Sequence, residues 1–134
     1  MNINGSINRS EDCRMIYTSF YANYKAYSDF YRIGISRKTP NNAADISLKF
    51  LAPDSSLLYD YKNGSIGEEE YARRYLSSLE ELHNNGTLDI FVHYLINHSM
   101  DLALLCYESP NKFCHRHLLA DYLNQQYGLE IKEL

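Results

Sequence analysis

The sequence predicts an α/β fold, a three-layer Rossmann-like sandwich with a mostly parallel sheet. Three observations carry this expectation. Leu102-Ala103-Leu104-Leu105-Cys106-Tyr107 is an uninterrupted apolar run bounded by polar residues, the pattern of a strand covered on both faces. Tyr71, Tyr75, Leu79 and Leu82 recur at helical spacing behind Glu68-Glu69-Glu70, acids that suit the first turn of a helix. Strand-like and helix-like segments then alternate along the chain, the order that builds a parallel sheet with helical crossovers.

Met1–Cys13 reads as a loose leader rich in Asn and Ser, and residues 14–134 as a single domain of a size that buries one core. Met15–Tyr21 is β-prone and predicts a first strand. Ala22–Tyr31 carries tyrosines at 24, 27 and 31, a three-and-four spacing that predicts a short helix. Arg32–Ser36 follows as a second strand, ended by Arg37-Lys38-Thr39-Pro40-Asn41-Asn42, because proline cannot donate to an interior ladder. Ile46–Leu51 and Leu57–Tyr61 are short apolar runs that fit either a strand or a helical turn. A helix is predicted from Gly67 to His83, stopped by Asn84-Asn85-Gly86, and another over Leu88–Asn97. Leu102–Tyr107 is the central strand. Leu118, Leu119, Tyr122 and Leu123 then form an apolar stripe that predicts a helix over Cys114–Tyr127 ending at Gly128, and Leu129–Ile131 is expected to add a last short strand.

Composition excludes some functions. Seventeen acidic against thirteen basic side chains give a formal charge of -4, so no global positive field attracts duplex nucleic acid. No apolar run approaches the length of a membrane span, and a cytoplasmic setting is expected. The three cysteines, an odd number, argue for free thiols over a disulfide framework. Thirteen tyrosines stand beside five phenylalanines and no tryptophan; tyrosine suits core edges and ligand pockets alike. The glycines form neither G-x-G-x-x-G nor a phosphate-loop pattern, and no serine sits in a nucleophile elbow. No cofactor is expected.

The candidate site lies where the central strand passes through Glu108–Phe113 into the helix opening at Cys114-His115-Arg116, since open α/β sheets bind ligands beyond the carboxyl ends of their strands. Within eleven residues this edge offers thiols, a carboxylate, an imidazole and a guanidinium. Glu108 and Cys114 are the candidate catalytic groups, one an acid or base, the other a thiol at a helix start beside a cation. Arg116 suits an anion, and His115 is preferred to His117 because side chains two positions apart on a helix cannot face the same direction, so at most one enters the site. Cys106 is a further candidate ligand contact whose quieter reading is a packed residue, and Glu108 equally fits a salt bridge with Arg116. Zinc is disfavoured: Cys106, Glu108, Cys114 and His115 are ligand types, but the paired Cys-x-x-Cys half-sites of a strong zinc motif are missing, so no metal is expected. Thr18, Ser19, Tyr21 and Arg37, at the ends of the first two strands, are candidate ligand contacts if those strands neighbour each other.

Leu104-Leu105-Cys106-Tyr107-Glu108, Phe113-Cys114-His115-Arg116 and Leu118-Leu119-Ala120 resemble the C-terminal signature of the family catalogued as domain of unknown function 488. Ile16-Tyr17-Thr18-Ser19 resembles its opening strand and Tyr71–Leu79 its middle helix. The resemblance implies a compact Rossmann-like fold and a clustered polar site, without implying an established reaction. The chain departs from the family where an Asp-x-Arg often ends the second strand; here the triplet is Ile35-Ser36-Arg37, which retains the arginine and lacks the acid. Its short length and Tyr-rich front resemble small phage or mobile-element members. The leading expectation is a hydrolase or transferase acting on a nucleotide-like or phosphorylated small molecule. A nucleotide-sequestering protein without turnover and a protein-interaction module are the alternatives, with a homodimer as one option for assembly.

Overall fold

The computed structural model describes residues 15–109 and 112–134; the leader expected over 1–13 lies outside them. Strand β1 (Ile16–Phe20) is followed by a 3-10 turn over Tyr21–Tyr27, then β2 (Tyr31–Gly34) and β3 (Ile46–Ser47). A single 3-10 turn, Lys49–Leu51, leads into α1 (Ser55–Lys62), α2 (Glu68–Asn84) and α3 (Thr87–Ile96). Strand β4 (Leu102–Cys106), helix α4 (His115–Tyr127) and strand β5 (Lys132–Glu133) complete the chain. The five strands form one sheet in the order β3-β2-β4-β1-β5, and every pairing is parallel. The fold is the Rossmann-like α/β sandwich that the sequence predicts.

Strand β4 sits at the centre with all five residues buried, which explains its unbroken apolar sequence. Leu102, Leu104 and Cys106 face the larger core, formed with Ile16, Ile33 and the apolar stripes of the four helices. Ala103 and Leu105 face the other side, where Tyr21 and Tyr27 of the 3-10 turn cover them, with Phe30 and Leu134 packed alongside. The layers are therefore unequal, thick on the helical side and thin on the other. Each fully buried aliphatic side chain contributes about 1.5–3 kcal/mol, so Leu102, Leu104 and Leu105, all at most 1% exposed, anchor the sheet.

Local signals explain the helix limits. The Asp54 carboxylate accepts the Leu57 N–H at 2.8 Å and caps α1. Gly128 ends α4 in the left-handed region at φ 69°, which favours glycine. Two expectations shift. The helix predicted over Ala22–Tyr31 is a 3-10 turn ending at Tyr27, with Tyr31 already in β2, because Tyr27 is pinned inward by its hydroxyl donating to the Tyr21 carbonyl at 2.7 Å. The last strand lies at Lys132–Glu133 instead of Leu129–Ile131. There the Asn124 side chain holds both backbone groups of Ile131, donating to its carbonyl at 3.1 Å and accepting its N–H at 2.9 Å, so pairing with β1 starts one residue later. Among the described residues no helix is long and apolar enough to cross a membrane.

Candidate functional site

An open cleft of about 940 Å³ lies beyond the carboxyl ends of β2 and β4. Its floor is Cys106, Cys114 and His115. One rim is Ser36, Arg37 and Lys38 after β2; another is Tyr107, Glu108, Lys112 and Phe113 between β4 and α4; and helices α1 and α2 supply Tyr59, Tyr61, Lys62, Glu68 and Tyr71. Strand β4 lies between β1 and β2, so the first two strands are not neighbours and their ends flank the β4 loop from opposite sides.

Four cations, Arg37, Lys38, Lys62 and Lys112, face two carboxylates, Glu68 and Glu108, around this cleft. The excess is positive although the whole chain carries -4, and walls of low dielectric focus such a field. The aromatic wall is a mutually packed triad: Tyr61 lies 5.0 Å from Tyr71 and 5.7 Å from Phe113 between ring centroids, and Tyr71 lies 5.1 Å from Phe113. Burial, with the nearby Tyr61 and Glu108, pushes the Tyr71 hydroxyl well above its ordinary range. It stays protonated, and the hydroxyl makes no protein hydrogen bond among the described residues.

His115 opens α4, 6% exposed. Its Nε2 sits 2.7 Å from the Ile35 carbonyl, an acceptor that requires Nε2 to carry the proton. Nδ1 is left with its lone pair toward Cys114 Sγ, 3.7 Å away. Desolvation lowers the His115 pKa to about 4 against the opposing pull of that carbonyl bond, with the charge of Arg116 and then His117 adding to the drop; the ring is neutral at neutral pH. The Cys106 and Cys114 sulfurs are in direct contact, the approach that a disulfide makes. Their Cα atoms are 7.8 Å apart, beyond the roughly 4.4–6.8 Å that a relaxed disulfide spans, so the pair is read as two thiols brought together.

Arg116, expected at an anion, does not line the cleft. Its side chain is fully buried, and Nε and Nη2 hold the Glu133 carboxylate at 3.1 and 2.8 Å. Nη1 donates to Cys106 Sγ at 3.0 Å and to the Glu108 carbonyl at 2.6 Å, and the guanidinium carbon lies 5.8 Å over the Phe20 ring. Arg116 thus fixes the end of β4, the Glu108 backbone and β5 in one knot. Thr18 belongs to the same knot through a 2.6 Å bond from its hydroxyl to Glu133. Desolvation raises the Glu133 pKa, but the hydrogen bonds of Arg116 and Thr18 and the charge of Arg116 outweigh it and leave the carboxyl below its ordinary value.

The remaining expected contacts divide. Arg37 is at the cleft and reaches the Pro53 carbonyl at 3.5 Å. Ser19 is buried on the opposite side of the sheet from the helices, accepting from Asn23 at 3.0 Å. Tyr21 stands behind the rim, its hydroxyl 2.7 Å from Ser36 Oγ and its ring 4.9 Å from Tyr107. That approach needs Gly34, where a Cβ would meet the Tyr21 hydroxyl at 2.9 Å and Thr39 Oγ1 at 2.8 Å. His117 turns away from the cleft, its Nδ1 3.8 Å from Glu133. Sequence reasoning missed Glu68, which it took for a helix-start acid, and Tyr61 and Tyr71, whose apolar run and helical stripe signalled only packing; Phe113 lies at the end of the expected site loop.

A family model described as the active DUF488-N3 subclade, DUF488-N3a, matches residues 16–127. The chain belongs to the DUF488 family. The match runs from the start of β1 to the end of α4 and so contains every cleft residue, while Glu133, the acid that Arg116 holds, falls beyond it. No curated protein and no solved structure matches this DUF488 chain significantly.

Proposed function

We propose that this DUF488-N3 domain binds a small anionic, ring-containing molecule of the nucleotide type in the cleft, and that Glu108 serves there as general acid or base for a hydrolysis or transfer. The observation that carries this reading is the pairing of four cations with the Tyr61-Tyr71-Phe113 wall at the carboxyl edge of a parallel sheet. Cations grip phosphate, and aromatic faces accept a flat ring. A cleft of about 940 Å³ accommodates a nucleotide with room for a second reactant. Glu108 is a half-buried cleft residue whose carbonyl is held by Arg116 and whose charge acts on Tyr61 and Tyr71 of the aromatic wall. The description of the subclade as active is in keeping with turnover. A cytoplasmic setting suits the reading, since it supplies such ligands and keeps thiols reduced.

The test separates binding from chemistry. A Glu108→Gln variant is expected to retain ligand-induced stabilisation and to lose turnover, followed by mass spectrometry of each stabilising nucleotide after incubation. Full turnover by that variant would remove Glu108 from the mechanism. A second reading, sequestration without conversion, is favoured by one observation: Ile35 occupies the position where the family often has an acid, and it is fully buried in the core. Under that reading the stabilising ligand is recovered unchanged from the wild-type protein.

A further inference from the structure

We propose that Cys106 Sγ, Cys114 Sγ and His115 Nδ1 form a binding site for a zinc ion, with the fourth coordination position open to the cleft. The three donor atoms lie within 4.8 Å of one another and all three residues are buried. They come from two places that the fold joins: Cys106 ends β4, and Cys114 and His115 start α4. Zinc bonds of about 2.3 Å to sulfur and 2.0–2.1 Å to nitrogen in a tetrahedron put neighbouring sulfur and nitrogen ligands about 3.6 Å apart. The Cys114 Sγ to His115 Nδ1 distance is 3.7 Å. The two sulfurs, now in contact, must part toward a similar edge, and a Cα separation of 7.8 Å gives room for an ion between them.

The surrounding bonds favour a metal over a packed thiol cluster. A ligating imidazole ordinarily donates its other N–H to a carbonyl or carboxylate, which fixes ring and tautomer; His115 Nε2 does so to Ile35 at 2.7 Å, leaving Nδ1 as the acceptor beside the sulfurs. Arg116 Nη1 donates to Cys106 Sγ at 3.0 Å, a charged donor that stabilises a thiolate. Two thiolates, a neutral imidazole and a divalent cation sum to no net charge, which suits a site this buried. Soft sulfur and borderline nitrogen select zinc over magnesium or calcium. Three protein ligands with one open position is the pattern of sites that hold water or substrate, and all three residues line the cleft. The proposal does not depend on which small molecule the cleft takes.

The experiment is metal binding by the full chain, purified under reducing conditions. Cobalt(II) titration is expected to give one equivalent bound, with thiolate-to-cobalt charge-transfer absorption in the near ultraviolet, intense tetrahedral ligand-field bands in the visible, and displacement by one equivalent of zinc. Cys114→Ser and His115→Gln should each weaken zinc at least 100-fold in competition with a chromophoric chelator. Cys13→Ser should leave the stoichiometry and spectrum unchanged. Because a variant of a buried residue can fail to fold, the wild-type spectrum decides on its own. Absence of the charge-transfer band with all thiols reduced would overturn the site, as would its survival in folded Cys114→Ser protein or its loss in Cys13→Ser. Recovery of Cys106 and Cys114 as a disulfide from freshly reduced protein that takes up no metal would overturn it too. Zinc uptake without nucleotide stabilisation would remove the ligand reading and leave this one standing; the converse would do the opposite.

Discussion

Arg116→Met is the perturbation whose size the structure sets most directly. Methionine fills much of the same volume but removes a fully buried guanidinium, leaving Cys106 Sγ and the Glu108 carbonyl without its N–H groups and the Glu133 carboxylate with the Thr18 hydroxyl but no cation. Breaking a buried ion pair from one side costs about 3–5 kcal/mol. Glu133 is still 28% exposed and can recover some hydration, which places the expected loss near the low end, about 3 kcal/mol. For a chain of 134 residues the unfolding entropy is about 0.28 kcal/mol/K, so the midpoint should fall by about 11 °C. The assay is thermal and urea unfolding followed by circular dichroism at neutral pH, for Arg116→Met, Glu133→Gln and the double variant. Most of the loss should vanish when Glu133 has already been neutralised, because the uncompensated charge is gone. Acid sharpens the test. The folded-state pKa of Glu133 is depressed, so the contribution of the pair is fully present above the unfolded carboxyl value of about 4.3 and is lost as pH falls through the lower folded value. The gap between wild type and Arg116→Met should therefore narrow below pH of about 4. A melting point within about 3 °C of wild type, equivalent to under 1 kcal/mol, or an unchanged loss in the Glu133→Gln background, would refute the knot.

Three further outcomes follow from single contacts. Gly34→Ala should cost about 1–3 kcal/mol, because its Cβ forces the Tyr21 hydroxyl and Thr39 to move; unchanged urea unfolding would show the rim to be soft. Asp54→Ala should cost about 1 kcal/mol and weaken any cleft ligand as well, since the cap it removes starts the helix that carries Tyr59, Tyr61 and Lys62; calorimetric titration reads the second effect. Leu104→Ala, at a position with no exposure on the central strand, should cost about 2–5 kcal/mol in denaturant unfolding, and a loss below 1 kcal/mol would mean that the site refills.

The central strand was legible because Leu102–Cys106 is covered on both faces and so carries no polar alternation to confuse the pattern. Helix α2 was legible because Tyr71, Tyr75 and Leu79 all turn to one core. The tyrosines at 24, 27 and 31 misled because they do not share a face: Tyr24 is 60% exposed, Tyr27 is 1% exposed, and Tyr31 pairs as a strand residue. At the site, the density of chemistry between Cys106 and Arg116 was readable, and the direction of Arg116 was not. Its partner, Glu133, arrives only because β5 pairs with β1, and no local pattern announces that acid. Spacing also argued against a metal, since it tests for paired half-sites in sequence; here a parallel strand end and a helix start bring the donors together across the Glu108–Phe113 loop.

The most direct test of the central claim is a thermal-shift titration of the wild-type protein with nucleotides, cyclic nucleotides, sugar phosphates and uncharged nucleosides, alongside Arg37→Ala and Lys112→Ala. The account predicts that a phosphorylated, ring-containing ligand stabilises the protein by about 2.7 kcal/mol when present at 100 times its dissociation constant. It also predicts that the matching nucleoside does markedly less and that loss of either cation reduces the shift. No stabilisation by any phosphorylated compound, or equal stabilisation by the nucleoside and by both variants, would contradict it.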